Sequence, residues 1–345
     1  MFAKIFEALY IKVLVNIVRK STSTLVYIEL HSKKGMIEHL HNEFDTTTLD
    51  EAMIEFITTY TKESPYYYIS VLDSSSEQGA IPTCNKNKIN YYTDLSDAEY
   101  KCFDGKWTYY TSKSDIYEIE EHYKAIGVDF IFSPFLIMHN FFQDKITKSV
   151  AIYALVQDGY ISISVFNEGE LLYAEHLDMQ ASTDTDEMML TDGLDVSEED
   201  LDLESGIDLE NIDVEGDENA ILDDLSDIED LDALEDIDEF SDAKDVEEEL
   251  LENEEEILKE AEEQEDGSFN EDYQRFSLIQ TAISHFYKDA RYESQFLENI
   301  YIADCVGVSR DLKKYLEEEM FLNVYIRKAD IEAELCELAK QELGI

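Results

Sequence analysis

The chain has 345 residues, 44% of them apolar, and sets 81 Asp and Glu against 26 Lys and Arg for a formal net charge of −55. That length predicts two domains or one large two-lobed one. The charge excludes a general nucleic-acid binder, which needs clustered cations to neutralise phosphate. Twelve glycines, with no Gly-Gly or Gly-x-Gly among them, remove the dinucleotide fingerprint, the Walker A loop and the kinase glycine-rich loop. Cys84, Cys102, Cys305 and Cys336 show no CxxC or CxxH spacing, so neither a disulfide framework nor a zinc site is expected, and a reducing compartment is. No apolar run reaches the roughly 18 residues of a membrane span, and Met1–Lys20 is too interrupted by charge for a cleavable signal. The expectation is a soluble, cytoplasmic chain.

In chain order, Leu14–Val18 is a short apolar run before a polar turn at Arg19–Ser21. Thr24–Leu30 and Met36–Phe44 read as strands around Lys34-Gly35. A helix begins at Thr48 with Glu51 completing a capping box. It places Leu49, Met53, Phe56, Ile57 and Tyr60 on one face. Tyr66–Leu72 is a strand. A helix over Asp115–Ile126, capped by Ser114 and closed by Gly127, is followed by a strand at Val128–Phe132 and a helix from Phe135 to about Gln143. The second half repeats the order. Strands at Val150–Val156, Ile161–Asn167 and Leu171–Leu177 turn at Asp158-Gly159 and Glu168-Gly169. After them come a helix (Tyr273–Lys288), a strand (Ile300–Ala303), a helix capped by Ser309, a strand (Val324–Ile326) and a last helix (Ala329–Leu343). A duplicated unit of this kind predicts a bilobal α/β fold with a cleft between the lobes.

Two segments fall outside the repeat. Ala181–Asn270 holds 40 of the 81 acids and two bases, Lys244 and Lys259. Its Leu and Ile sit singly among acids with almost no aromatics, which predicts a largely disordered insertion, with an exposed helix at Val246–Glu265. Asp73–Ser114 is too long for a plain loop and reads as an inserted subdomain. Its runs Ile89-Asn-Tyr-Tyr and Lys106-Trp-Thr-Tyr-Tyr suit short strands. Aromatics of this sort favour a recognition groove, so Trp107, Tyr109 and Tyr110 are candidate partner-binding residues. The competing reading makes Trp107 the plug of a small core. Phe2, Ile5, Phe6 and Leu9 lie at helical spacing in a basic segment, Met1–Lys20, that either rests on an anionic membrane or packs against the first lobe. His39 and His41 share a strand face without a further ligand nearby, so a solvated face is expected rather than a metal site.

The order of elements resembles the actin-like, ribonuclease-H-like superfamily, and within it the PilM family of type IV pilus assembly and the cytoplasmic domain of GspL from type II secretion. The resemblance covers the chain except the acidic stretch. Val15-Asn-Ile-Val-Arg-Lys-Ser-Thr-Ser-Thr resembles the family's first phosphate hairpin, Val156-Gln-Asp-Gly-Tyr its second, and Ile300-Tyr-Ile-Ala-Asp-Cys-Val-Gly-Val its adenosine-side turn. It implies a βββαβαβα duplication with a first lobe over 1–148 (insert 73–114) and a second over 149–345 (acidic insertion 181–270). The departures point away from catalysis. Asn16 and Gln157 stand where acids would be, Val18 replaces a glycine, Gly159 is retained, and Asp304-Cys305 replace Gly-Gly. Magnesium wants carboxylates with phosphate oxygens, and a hairpin cradles phosphate only through unshielded N–H groups. A degenerate nucleotide cleft is therefore expected, with no cofactor, metal or catalytic residue, in a pseudo-ATPase. The resemblance implies a scaffold at the cytoplasmic face of the inner membrane. Its partner would be the cytoplasmic tail of a PilN-like protein, with other subunits of a pilus, secretion or flagellar-motor machine. The alternatives are an active actin-like ATPase and an acidic adaptor acting through its insertion.

Overall fold

β1 (Lys12–Arg19) is the centre of a five-stranded sheet, and its run Val13–Val18 is buried on both faces. It pairs antiparallel with β2 (Thr24–Ser32), which in turn pairs with β3 (Gly35–Phe44) at the sheet's outer edge. On its other side it runs parallel to β4 (Tyr66–Leu72), and β4 runs parallel to β8 (Phe130–Phe132). The second sheet repeats this order. β9 (Ala151–Val156) is central, with β10 (Tyr160–Asn167) and β11 (Glu170–Asp178) antiparallel on one side and β12 (Asn299–Asp304) and β13 (Asn323–Lys328) parallel on the other. Two sheets of order 3-2-1-4-5, each three antiparallel strands followed by two parallel ones, make the bilobal, duplicated actin-like fold. This computed structural model describes residues 10–179 and 268–345. The expected N-terminal apolar stripe, the acidic insertion as far as residue 267 and the helix expected at Val246–Glu265 lie outside the described residues.

Helices cover the sheets and also tie the lobes together. α1 (Glu51–Thr61) buries Met53 and Ile57 against Val13, Val15 and Ile17. Its cap is Asp50, whose carboxylate accepts from the Met53 amide at 2.8 Å. This corrects the start at Thr48: an Asp two residues on supplies the stronger acceptor, and charge suits a helix N-terminus. α4 (Pro134–Phe141) packs on β9 and β10, while α8 (Ile331–Leu343) packs on β1, β2 and β4. One helix from each lobe thus covers the other lobe's sheet. Leu335, Leu338 and Ala339 share one core with Val18, Leu25 and Leu72 of the first lobe and with Tyr153 and Leu155 of the second.

The inserted segment is a three-stranded antiparallel sheet, order β5 (Gln78–Ile81), β7 (Trp107–Ser112), β6 (Ala98–Phe103), with a short helix α2 (Lys86–Tyr92). Ile89–Tyr92 is therefore helical and not a strand: Asn85 caps the turn through the Asn87 amide, and Ile89 plugs a small core with Ile81 and Leu95. Cys84 and Cys102 are joined by a disulfide. This corrects the expectation of no disulfide; the two residues stand 18 apart without a motif, and only the insert's folding brings their Cα atoms to 5.4 Å. α3 (Lys113–His122) starts two residues early, because Ser112 and not Ser114 accepts from the Asp115 amide. α5 (Gln143–Ile146) is a single turn, α6 (Ser268–Lys288) begins three residues inside the expected acidic stretch, and α7 (Arg310–Met320) is capped by Ser309 as expected. Among the described residues no helix is long and apolar enough to cross a membrane.

Candidate functional site

The β1–β2 and β9–β10 turns face each other. Between them sits a direct contact. Asp158 Oδ2 accepts from the Ser21 amide at 2.8 Å and from the Ser21 hydroxyl at 2.6 Å. Each turn is held rigid by its own bonds: the Lys20 amide donates to Ser23 O, and the Gln157 amide to Tyr160 O. Gly159 at φ +87° makes the second turn possible, since an L side chain is strained there. The Ser23 hydroxyl and the Lys20 ammonium both go to Glu43 of β3, which holds that carboxyl below its usual range.

The residues singled out from sequence divide into two groups. Val18, Gln157 and Cys305 line a small cavity of about 20 Å³ with Val306 and Ile331, and Gly159 lines a larger one of about 250 Å³ with Lys20, Ser21 and Asp158. Asn16 and Asp304 are turned away from both. Asn16 is fully buried in mid-strand, where its Oδ1 accepts from the Ser70 hydroxyl at 2.6 Å. Asp304 bends back on its own loop, accepting from the amides of Val306, Gly307 and Val308 at 2.8–3.0 Å. Burial, and then the neighbouring Asp304 and Glu332 carboxylates, push the Cys305 thiol well above its ordinary pKa.

A third cavity of about 190 Å³ lies between the turn after β4 and α3, lined by Ser74–Ser76, Asp115, Glu118 and His122. Burial first, then the Arg19 charge, lowers the His122 pKa. Arg19, Ser74 and Tyr160 border all three cavities. The Arg19 guanidinium makes no hydrogen bond or ion pair with another described residue. Sequence reading missed Arg19, Ser21, Ser74, Asp158 and Tyr160. The available signal was Asp158 itself, an acid one position beyond the vacated Gln157.

The insert's aromatics occupy different places from those expected. Trp107 is 1% exposed, its ring packed on Phe103, His139 and Phe166. This corrects its assignment to a partner groove: β7 is the middle strand of the insert, and its inward face joins the core shared by both lobes. Tyr109 packs half-buried beside it, and Tyr110 lies half-buried over Gly79, whose absent side chain admits the ring. The insert's open surface is β6, an outer strand with Glu99, Tyr100, Lys101 and Cys102 exposed. On β3, His41 pairs with Glu332 at 3.0 Å and His39 stacks on Tyr27. Among the described residues no group of side chains could hold a metal ion.

No curated protein matches the chain in sequence. Among solved structures, a protein of actin-like ATPase fold and unknown function from Bacteroides thetaiotaomicron is 11% identical, with 94% of this chain and 95% of that one covered at a TM-score of 0.46. A PilM–PilN type IV pilus biogenesis complex is 9% identical, covering 94% of both chains at 0.46. A putative 2-dehydro-3-deoxygalactonokinase from Sinorhizobium meliloti is 10% identical, covering 96% and 99% at 0.40. At such scores these likenesses add nothing to the strand order itself. The family described as domain of unknown function DUF8569 matches residues 10–139. A second, the domain of unknown function DUF8341, matches residues 152–344, more than half of the 345, and the chain belongs to that family.

Proposed function

We propose that the chain is a non-catalytic actin-like scaffold, a pseudo-ATPase that joins the inner-membrane platform of an envelope machine by holding the cytoplasmic tail of a PilN-like protein. The observation that carries this reading is the bond between the two hairpins. In a working cleft the turn amides receive phosphate; here the Ser21 amide and hydroxyl are given to the Asp158 carboxylate. A magnesium nucleotide fits these residues poorly. Asn16 and Gln157 offer amides where the ion wants carboxylates, and the Asp304 carboxylate is spent on three amides of its own loop. The space beside Cys305, about 20 Å³, is that of one water and not of a purine, whose sites usually measure hundreds of cubic ångströms.

For the partner, β6 is the surface that favours an extended tail: an outer strand offers unpaired backbone groups, and Tyr100 (44% exposed) offers an aromatic anchor. Titration of ATP with magnesium tests the cleft. No heat of binding is expected; a dissociation constant below about 10 μM, roughly −7 kcal/mol, overturns the reading. Membrane fractionation of Tyr100→Ala tests the partner surface, with release to the soluble fraction expected. A folded variant that stays on the membrane refutes docking at β6. One observation favours the alternative of an active ATPase: Arg19, without an ion pair among the described residues and bordering the three cavities above, is a ready counter-charge for an anion. The same titration decides between the two.

A further inference from the structure

Phe321 ends α7 in a conformation that apolar residues avoid. Its φ is +57°, and the Leu322 amide closes a turn onto Leu316 O at 3.2 Å, the helix-ending geometry in which glycine is normal. The chain follows that norm after α8, where Gly344 takes the same position. Phe321 is also 86% exposed. The backbone strain is thus retained with no packing in return. A second local rule is broken beside it. Glu317, Glu318 and Glu319 crowd the last turn of α7, where the helix dipole disfavours negative charge, and among the described residues only Glu317 has an ion-pair partner, Lys313 at 3.9 Å.

The topology brings another exposed aromatic to the same place. The Asn323 amide donates to Glu298 O at 2.8 Å where β12 and β13 begin side by side. Phe321 precedes Asn323 by two residues, and Phe296, 77% exposed, precedes Glu298 by two. Tyr287, 44% exposed, sits next to them, its hydroxyl accepting from the Leu297 amide. Local rules broken without a structural return mark functional surface.

We infer that Phe296 and Phe321, rimmed by Glu298 and Glu317–Glu319, form a docking surface for a basic, apolar-anchored segment of another protein. Charge chooses the occupant. A second copy carries a net charge of −55, and the chain's own 181–270 stretch has 40 acids against two bases; both are repelled by this rim. A cationic segment is attracted, with the two rings supplying the apolar contact. This surface lies on the second lobe and depends neither on the cleft nor on β6.

The test uses the full-length protein in its own cells, with a photoreactive benzophenone amino acid at position 296. The expected result is one cross-linked polypeptide, joined through a segment rich in Lys and Arg. Its yield should fall at least tenfold with the charge reversals Glu317→Lys, Glu318→Lys and Glu319→Lys combined, and likewise with Phe321→Gly. The same variants should keep or raise the thermal midpoint, because each removes a local strain. Capture of an acidic segment, capture of a second copy, no capture, or capture indifferent to charge reversal overturns the proposal. So does a fall in the midpoint of Phe321→Gly of more than about 2 °C, which would make Phe321 a packing residue.

Discussion

Replacing Asp158 by Ala removes the acceptor of two hydrogen bonds that join the lobes, and the size of the effect follows from their setting. A typical intramolecular hydrogen bond contributes roughly 0.5–1.5 kcal/mol net, somewhat more where one partner is ionised. Both bonds are solvent-exposed, which places each near the low end of that range. The expected loss is therefore about 1–2 kcal/mol, a fall in thermal midpoint of roughly 2–6 °C. Asp158→Asn keeps an acceptor without the charge and should lose about half as much. Ser21→Ala keeps the amide donor and deletes the hydroxyl, so the cycle with Asp158→Ala isolates the hydroxyl's share, on the order of 0.5–1 kcal/mol. Calorimetry gives the totals, and hydrogen exchange at the Ser21 amide reports the bond directly, with protection lost in Asp158→Ala. An unchanged midpoint together with unchanged protection at Ser21 would refute the idea that this contact holds the hairpins together.

Three further outcomes test the packing and the titration of the core. Trp107→Ala should cost roughly 3–5 kcal/mol in urea unfolding, as expected for a large buried ring, while Trp107→Phe, which also removes an indole N–H with no hydrogen-bond partner, should cost far less. Gly79→Ala would set a methyl 2.6 Å from Tyr110 Oη and should destabilise by about 1–3 kcal/mol; the loss should shrink in a Tyr110→Leu background. His176, whose Nδ1 meets the Ser162 hydroxyl at 2.9 Å, has its pKa lowered by burial to about 4. The unfolded chain takes up that proton first, near pH 6.5, so the stabilisation by neutral His176 is complete above pH 6.5 and is lost as the pH falls towards 4. His176→Gln should flatten that acid limb by up to about 3 kcal/mol, and a limb unchanged by the substitution would refute the assignment.

The two lobes were legible because their strands are periodic and their turns carry their own chemistry. Tyr66–Leu72 matches its strand end for end, and the Asp158-Gly159 and Glu168-Gly169 turns fall where the hairpins turn. The misreadings come from signals that compete within two or three residues. Thr48 and Asp50, or Ser114 and Ser112, are both competent caps two residues apart, and the bonds to the Met53 and Asp115 amides go to Asp50 and Ser112. Ile89–Tyr92 has strand-like composition, yet Asn85 captures the turn amide and Ile89 finds a pocket, so tertiary packing overrides propensity. Nothing local pairs Cys84 with Cys102.

The site was half legible, for a reason that concerns distance along the chain. Amides at Asn16 and Gln157, and Asp304-Cys305 in place of a glycine pair, were expectations that can be read from one strand and its turn. The contact between Ser21 and Asp158 spans 137 residues and exists only when two lobes face each other. The second hairpin carries an acid, Asp158, one residue beyond Gln157. Gln157 directly follows the end of β9, its amide bonded across its own turn to Tyr160 O. One position later the side chain leaves the strand and reaches the other hairpin. In the reading proposed above, that carboxylate takes the place of a phosphate at the opposing amide. Its placement one residue beyond the strand end joins the two lobes through the protein's own groups, as the proposed scaffold requires.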